Sequence, residues 1–218
     1  MPTPENLEYQ IWPRALAIAE RGLGRTRSYA EFHQWAVGVA DSMRQAGINA
    51  FDLRNEYGQR RESLQPVEHL ARGAKVIYNN PYNSFYKAGG DSTLTDGVCG
   101  TWNNNDQRWQ GFIRDIDLVV DLGQECEVSS VELSFLQILG PEIFLPAEVS
   151  VVPMDKADAD GTSVSYTQLM DSTLADVPFV VQPYKIDIEP QTKTRYLHIT
   201  AKRTPRRGWL FLDEVVVR

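Results

Sequence analysis

The sequence predicts a mainly β protein: an antiparallel β-sandwich of jelly-roll type preceded by two α-helices. Three observations predict it. From Pro66 onward, alternating or wholly apolar segments of about five to nine residues recur between turn residues. No helix-length pattern intervenes among them, so the sheets should be antiparallel, with jelly-roll or Greek-key connections. Before about Asn49 the apolar residues recur at helical spacing instead.

The 218 residues are enough for one large domain, or for a domain with an appendage. The expected division is helices over 1–50, a linker over 51–65 and the sandwich over 66–218. A hydrophobic content of 42% with 23% charged residues is that of an ordinary globular chain. The net charge of −7 and pI near 5.0 argue against a nucleic-acid surface, which needs a basic stripe. No apolar run reaches the length of a membrane span, and no signal peptide opens the chain. Met1-Pro2-Thr3 reads as an expression start placed before an interior segment, so the compartment stays undecided. The two cysteines, Cys99 and Cys126, allow either one disulfide or a pair of thiols.

Thr3-Pro4-Glu5 is a helix start: an N-cap residue, a first-turn proline and an acid. Trp12, Leu16, Ala19 and Leu23 form an apolar stripe on that helix, and Pro13 kinks or restarts it. Ser28-Tyr-Ala-Glu31 is a capping box that opens a second helix. Its stripe is Phe32, Trp35 or Ala36, Val39 and Met43, and Gly47 ends it. The polar stretch Arg54–Arg61 reads as a linker or surface crossing. Strands are expected near Ala74–Asn79, Asp117–Leu122, Val128–Gln137, Ala147–Val152, Val164–Leu169, Tyr184–Ile188, Arg195–Ala201 and Leu210–Val217. In Val131-Glu-Leu-Ser-Phe135 the alternation is clean: Val131, Leu133 and Phe135 face inward. Trp109 and Phe112 are expected in the core.

The sequence offers little for catalysis. Asp213-Glu214 is the one adjacent Asp-Glu pair, but it lies in a strand, where neighbouring side chains point to opposite faces. Such a pair cannot flank one glycosidic bond. His33, His69 and His198 sit in no nucleophile or zinc motif. The last strand, Trp209–Val217, is apolar on both faces around Asp213 and Glu214. A carboxylate there must be paired or bind a cation. Two loops combine aromatic and planar polar residues, the composition that binds a sugar ring by its apolar face and its hydroxyls. They are Trp102–Arg108 and Arg203–Trp209; Leu139–Phe144 is a third candidate for the same rim. The candidate glycan contacts are Trp102, Asn104, Arg108, Arg206 and Arg207.

Two resemblances sharpen this. Glu8-Tyr-Gln-Ile-Trp-Pro-Arg-Ala-Leu-Ala-Ile-Ala-Glu20 resembles the segment near the end of the catalytic (β/α)8 barrel of family 20 glycoside hydrolases, the β-N-acetylhexosaminidases. Tyr29–Ala46 with Gly47-Ile48-Asn49 resembles that barrel's final helix and exit. Leu23-Gly24 stands where the family has Trp-Ser, and the family's catalytic Asp-Glu pair has no counterpart here. From Leu94-Thr-Asp-Gly97 onward the chain resembles the F5/8 type C, or discoidin-like, galactose-binding fold. Thr101-Trp102, Arg108-Trp-Gln-Gly-Phe112, Asp117–Gly123, Val128–Phe135, Pro146, Arg195–Ile199 and Phe211–Val217 carry it in order.

These resemblances imply a non-catalytic C-terminal portion of a periplasmic or secreted bacterial hexosaminidase. Its sandwich would be a carbohydrate-binding module for GlcNAc, GalNAc or galactose-type sugars, or else a structural module packed on the barrel. They imply a structural calcium ion held by Asp96, Thr101 and Glu214, with the turn backbone at Thr93 and Val98 completing the shell. They also imply that the helical stripes belong against the barrel, and would self-associate without it.

Overall fold

The computed structural model describes residues 4–54, 63, 66–156 and 164–218. The expected N-cap at Thr3 and most of the linker reading over 54–61 lie outside the described residues. The chain divides into two compact units, Met1–Leu64 and Gln65–Arg218.

In the first unit, helix α1 spans Pro4–Ile11, α2 spans Arg14–Gly22 and α3 spans Tyr29–Gln45. The first helix thus restarts after Pro13, because a proline inside a helix cannot donate its backbone bond. The capping box of α3 is complete: Ser28 Oγ accepts from the Glu31 N–H, and the Glu31 carboxylate accepts from the Ser28 N–H at 2.9 Å. The Ser28 hydroxyl, and after it the Ser28 N–H, donate to the Glu31 carboxylate and hold it below its ordinary pKa. Glu8 Oε2 accepts the Asn49 N–H at 2.8 Å and the Phe51 N–H donates to Trp12 O, so the segment after α3 runs back beside α1. One stripe needs correction. Ala19 and Leu23 are exposed, Leu23 at 68%, whereas Glu20 is buried beside Arg27 at 3.5 Å. On α3, Ala36 and Ala40 are buried and the larger members of its stripe are half-buried.

The second unit is an antiparallel β-sandwich. Its strands are β1 (Lys75–Tyr78), β2 (Gln110–Phe112), β3 (Ile116–Ile138), β4 (Glu148–Met154), β5 (Tyr166–Leu169), β6 (Phe179–Lys202) and β7 (Leu210–Val217). β3 and β6 pair along almost their whole length, with register shifts between Asp121 and Cys126 and between Val128 and Ser130. At such bulges a strand bends without leaving its partner. One layer is therefore β1-β3-β6-β4-β5, built on the first half of β3 and the second half of β6. The other is β2-β7-β3-β6, built on the opposite halves. Two pairs of expected strands are thus two continuous bent strands.

Alternation fixes which side chains enter the core. Val131, Leu133 and Phe135 are fully buried while Glu132 and Ser134 are not. They meet Leu118, Val120, Leu197 and Ile199 of the other layer in one apolar cluster. A smaller cluster of Trp109, Leu136, Ile143 and Phe211 lies on the outer face of the β2-β7-β3-β6 layer, because Leu136 and Phe211 pair with each other and point away from Phe135 and Leu212 of the core. Trp109 lies on the backbone of Gly100: a Cβ there would stand 2.2 Å from the indole. We expect Gly100→Ala to cost about 1–3 kcal/mol through overpacking, read as a lower denaturation midpoint. No disulfide joins Cys99 to Cys126. No described helix is long and apolar enough to cross a membrane.

Candidate functional site

The outer face of the β2-β7-β3-β6 layer, where Trp109 and Phe211 cluster, carries a cavity of about 370 Å³. Two loops make its walls. The first is the turn Ser84–Tyr86, where Asn83 Oδ1 accepts the Phe85 N–H at 2.9 Å. Tyr86 turns into the second cluster, edge-on to Trp209 at 5.1 Å and to Phe211 at 4.7 Å. Its Cβ lies against Gly111, which has no side chain to obstruct it. With Tyr86 anchored inward, Phe85 is left on the rim, 87% exposed. The next turn is fixed from below. Gln110 is buried, accepts from Tyr78 Oη at 2.8 Å and donates to Gly90 O at 2.7 Å.

The second wall is the loop after Trp102. Asp106 holds it, accepting the N–H groups of Thr101 and Arg108 at 2.5 and 2.8 Å. Asn103 Oδ1 accepts the Asn105 N–H at 3.0 Å. These bonds use the side chains of Asn103 and Asp106 internally. The side chains of Asn104, Asn105 and Gln107 line the cavity beside Lys87. Ala88 and Gln107, one from each wall, both have positive φ, at 49° and 64°. Strained backbone of this kind clusters at binding sites.

The cavity gathers only part of the expected rim. Asn104 lines it. Arg108, half-buried, directs its guanidinium to Cys99 O at 3.3 Å. Trp102 is half-buried and tilts against Phe179, with ring centroids 5.7 Å apart. Arg206 donates to Ala175 O at 2.9 Å, pairs with Asp176 and lies near the ring of Phe144. Arg207 is exposed with φ 64° and is not in the cavity lining. Phe85 and Lys87 were not expected; Asn105 and Gln107 lie in the candidate loop Trp102–Arg108 without having been singled out in it. The available signal was Ser84-Phe-Tyr-Lys87, two aromatics and a cation in a loop just before a Gly-Gly turn.

A second polar cluster joins the last strand to the loop after β1. Asp213 and Glu214 are both buried. Asp213 Oδ2 accepts the Gly100 N–H and Glu214 Oε2 accepts the Gly97 N–H, each at 2.9 Å. Asp96 Oδ1 accepts the Val98 N–H at 2.7 Å. Burial, then repulsion from Asp96 and Asp213, pushes the Glu214 carboxyl up to about 9. Burial also raises Asp96. His69 Nε2 stands 3.0 Å from Glu214 Oε1, yet the two do not form an ion pair. Burial and the charges of Arg72 and Arg218 push the imidazole down to about 4, so it is neutral at pH 7. The pair is also too poorly aligned for a hydrogen bond, which leaves Glu214 Oε1 buried and unsatisfied.

Part of the expected calcium shell meets here. Asp96, Val98 and Glu214 converge and Glu214 Oε1 is orphaned, but among the described residues no group of three or more His, Cys, Asp or Glu is arranged to hold a metal ion. Thr101 is engaged elsewhere: its Oγ1 accepts the Asn103 N–H at 3.1 Å and its carbonyl accepts Trp109 Nε1 at 3.1 Å. Thr93 Oγ1 is buried without a hydrogen bond, and its N–H donates to Gly90 O. The groups that meet these carboxylates most closely are N–H donors rather than carbonyls.

No family model matches the sequence, and no curated protein matches it. Solved structures do match. The lectin-binding domain of lectinolysin, as a His 62 mutant complexed with Lewis b, aligns with 20% identity and a TM-score of 0.50. The alignment covers 69% of this chain and 95% of that one. A chitosan-binding module from a chitosanase/glucanase of Paenibacillus sp. IK-5 aligns at 12% identity and TM-score 0.47, over 70% and 99%. A carbohydrate-binding module produced by Clostridium perfringens, in complex with GlcNAc-α-1,4-galactose, aligns at 16% and 0.45, over 72% and 96%. The second unit therefore has the β-sandwich fold of the lectinolysin domain.

Proposed function

We propose that this chain is a non-catalytic accessory portion of a glycoside hydrolase, and that its sandwich binds glycan in the Phe85 cavity. The observation that carries this reading is the exposed ring of Phe85 beside three side-chain amides over a fixed floor. An aromatic face takes the apolar side of a pyranose, and planar amides hydrogen-bond its hydroxyls. The cavity has room for one or two sugar rings. A terminal GlcNAc, GalNAc or galactose-type residue is the proposed ligand, and a β-N-acetylhexosaminidase the proposed parent. The module would hold glycan near that parent's active site. A glycan-array screen followed by calorimetric titration tests this, with Asn104→Ala and Asn105→Ala alongside. Saturable binding, weakened in these variants, supports it. A folded chain that binds no glycan would instead be a structural module, the reading favoured by the packing of Trp102 on Phe179.

Calcium is the proposed structural partner of the second cluster, held by Asp96, Glu214 and neighbouring carbonyls of the 93–101 loop. A divalent cation would supply the positive charge that Glu214 lacks, clamping β7 to that loop. In calcium at about a hundred times Kd, linkage adds about 2.7 kcal/mol, a rise of roughly 5–10 °C in Tm. Glu214→Gln should abolish that rise. In chelator it should cost little, because the amide oxygen still accepts the Gly97 N–H and the wild-type carboxyl, pushed up to about 9, is itself neutral at pH 7. A wild-type Tm that ignores both calcium and chelator would overturn the clamp.

For the first unit, Ile18, Leu23 and Tyr29 are exposed at 76%, 68% and 80%. The partner proposed for them is the rest of a catalytic barrel, following the resemblance of α1–α3. Light scattering tests the corollary: this chain alone should self-associate, and a strict monomer at high concentration counts against it.

A further inference from the structure

We propose that the glycan end taken by the Phe85 cavity is an anionic sugar, and that Lys87 reads its negative charge. This rests on the glycan-binding reading and adds the ligand's chemical class. The chain is acidic, at net −7, yet no Asp or Glu lines this cavity and one lysine does. The acids nearest in sequence are already occupied. Both carboxylate oxygens of Asp106 accept backbone N–H groups, and Asp91 Oδ1 accepts from Tyr82 Oη at 2.8 Å. Lys185, Lys193 and Lys202 each lie within 3.1 Å of a carboxylate. The Lys87 ammonium pairs with no carboxylate among the described residues. Its backbone is held, because Lys87 O accepts the Gly90 N–H at 2.8 Å. The side chain of Lys87 therefore leaves a fixed backbone position on the rim, two residues from Phe85.

A ring seated on Phe85, with hydroxyls toward Asn104 and Gln107, would bring a substituent to Lys87. A carboxylate or sulfate there gains a charge-assisted hydrogen bond. An amino sugar would meet like charge, and a neutral sugar would gain an ordinary hydrogen bond. Lys87 is exposed, so the gain is modest: about 1.5- to fivefold in Kd at low salt, shrinking as salt screens it.

The test is a matched set of oligosaccharides ending in galactose, galacturonate or 6-sulfated galactose, titrated against the full chain. Wild type should prefer one or both anionic ligands by that factor. Which one is preferred separates carboxylate from sulfate. Lys87→Ala should bring anionic and neutral ligands to equal affinity, while Lys87→Arg should keep the preference. Equal wild-type affinity for all three, or a preference that survives Lys87→Ala, overturns the inference and leaves the glycan-binding reading standing. Binding of none of them, with the chain folded, overturns this inference, and the glycan-binding reading falls with it only if the array finds no other ligand.

Discussion

Trp109→Ala is expected to cost about 3–5 kcal/mol of stability, the range for deleting a large buried aromatic. Domains of this kind carry only about 5–15 kcal/mol in total, so the loss takes a large share. Trp109 is 1% exposed and packs with Leu136, Ile143 and Phe211. Its Nε1–H donates to Thr101 O, and Gly100 leaves room for its ring. Neither neighbour can collapse into the gap, because Thr101 is held by Asp106 and the Gly100 N–H is bonded to Asp213. The same residue lines the cavity, so glycan binding should weaken with it. Chemical denaturation of the purified variant checks this. A loss under about 1 kcal/mol would mean that the smaller cluster is loosely packed and the cavity floor soft.

Phe85→Ala should act in the opposite way. Its ring is 87% exposed, so removing it should leave stability within about 0.5 kcal/mol of wild type. Yet a ring stacked on a sugar is worth about 1–2 kcal/mol, or about five- to thirtyfold in Kd. Phe85→Trp should keep the affinity, because the platform is retained. A folded Phe85→Ala chain with unchanged affinity would place the sugar elsewhere. The two variants together separate floor from platform: one loses folding and binding, the other binding alone.

The sandwich was legible because its strands obey a period of two. Val131, Leu133 and Phe135 went inside as their alternation required. The long strands were not, because Gly123-Gln-Glu125 reads as a turn, while in the structure β3 bends there and keeps β6 as its partner. The restart at Pro13 followed from backbone chemistry. The burial of Glu20 did not, since a carboxylate enters an apolar stripe only when an arginine such as Arg27 stands beside it, and sequence spacing does not show that neighbour.

At the site, composition found one wall and missed the other. Asn104 and its loop stood out by their amides. Arg206 and Trp102 stood out as well, but their partners Asp176 and Phe179 are distant in sequence and take them out of the rim. Phe85 was hidden because a short turn has no periodicity to say which of two adjacent aromatics points inward. That choice is made by Gly111 and Phe211, which accept Tyr86 and leave Phe85 outside.

The most direct measurement is a glycan titration followed by backbone amide NMR shifts of the full chain, using the tightest ligand from the array. This account predicts saturable shifts confined to Ser84–Ala88 and Asn104–Gln107, with Trp109 responding beneath them. Saturable shifts centred instead on Trp102, Phe179 and Arg206, with the Phe85 turn silent, would contradict it.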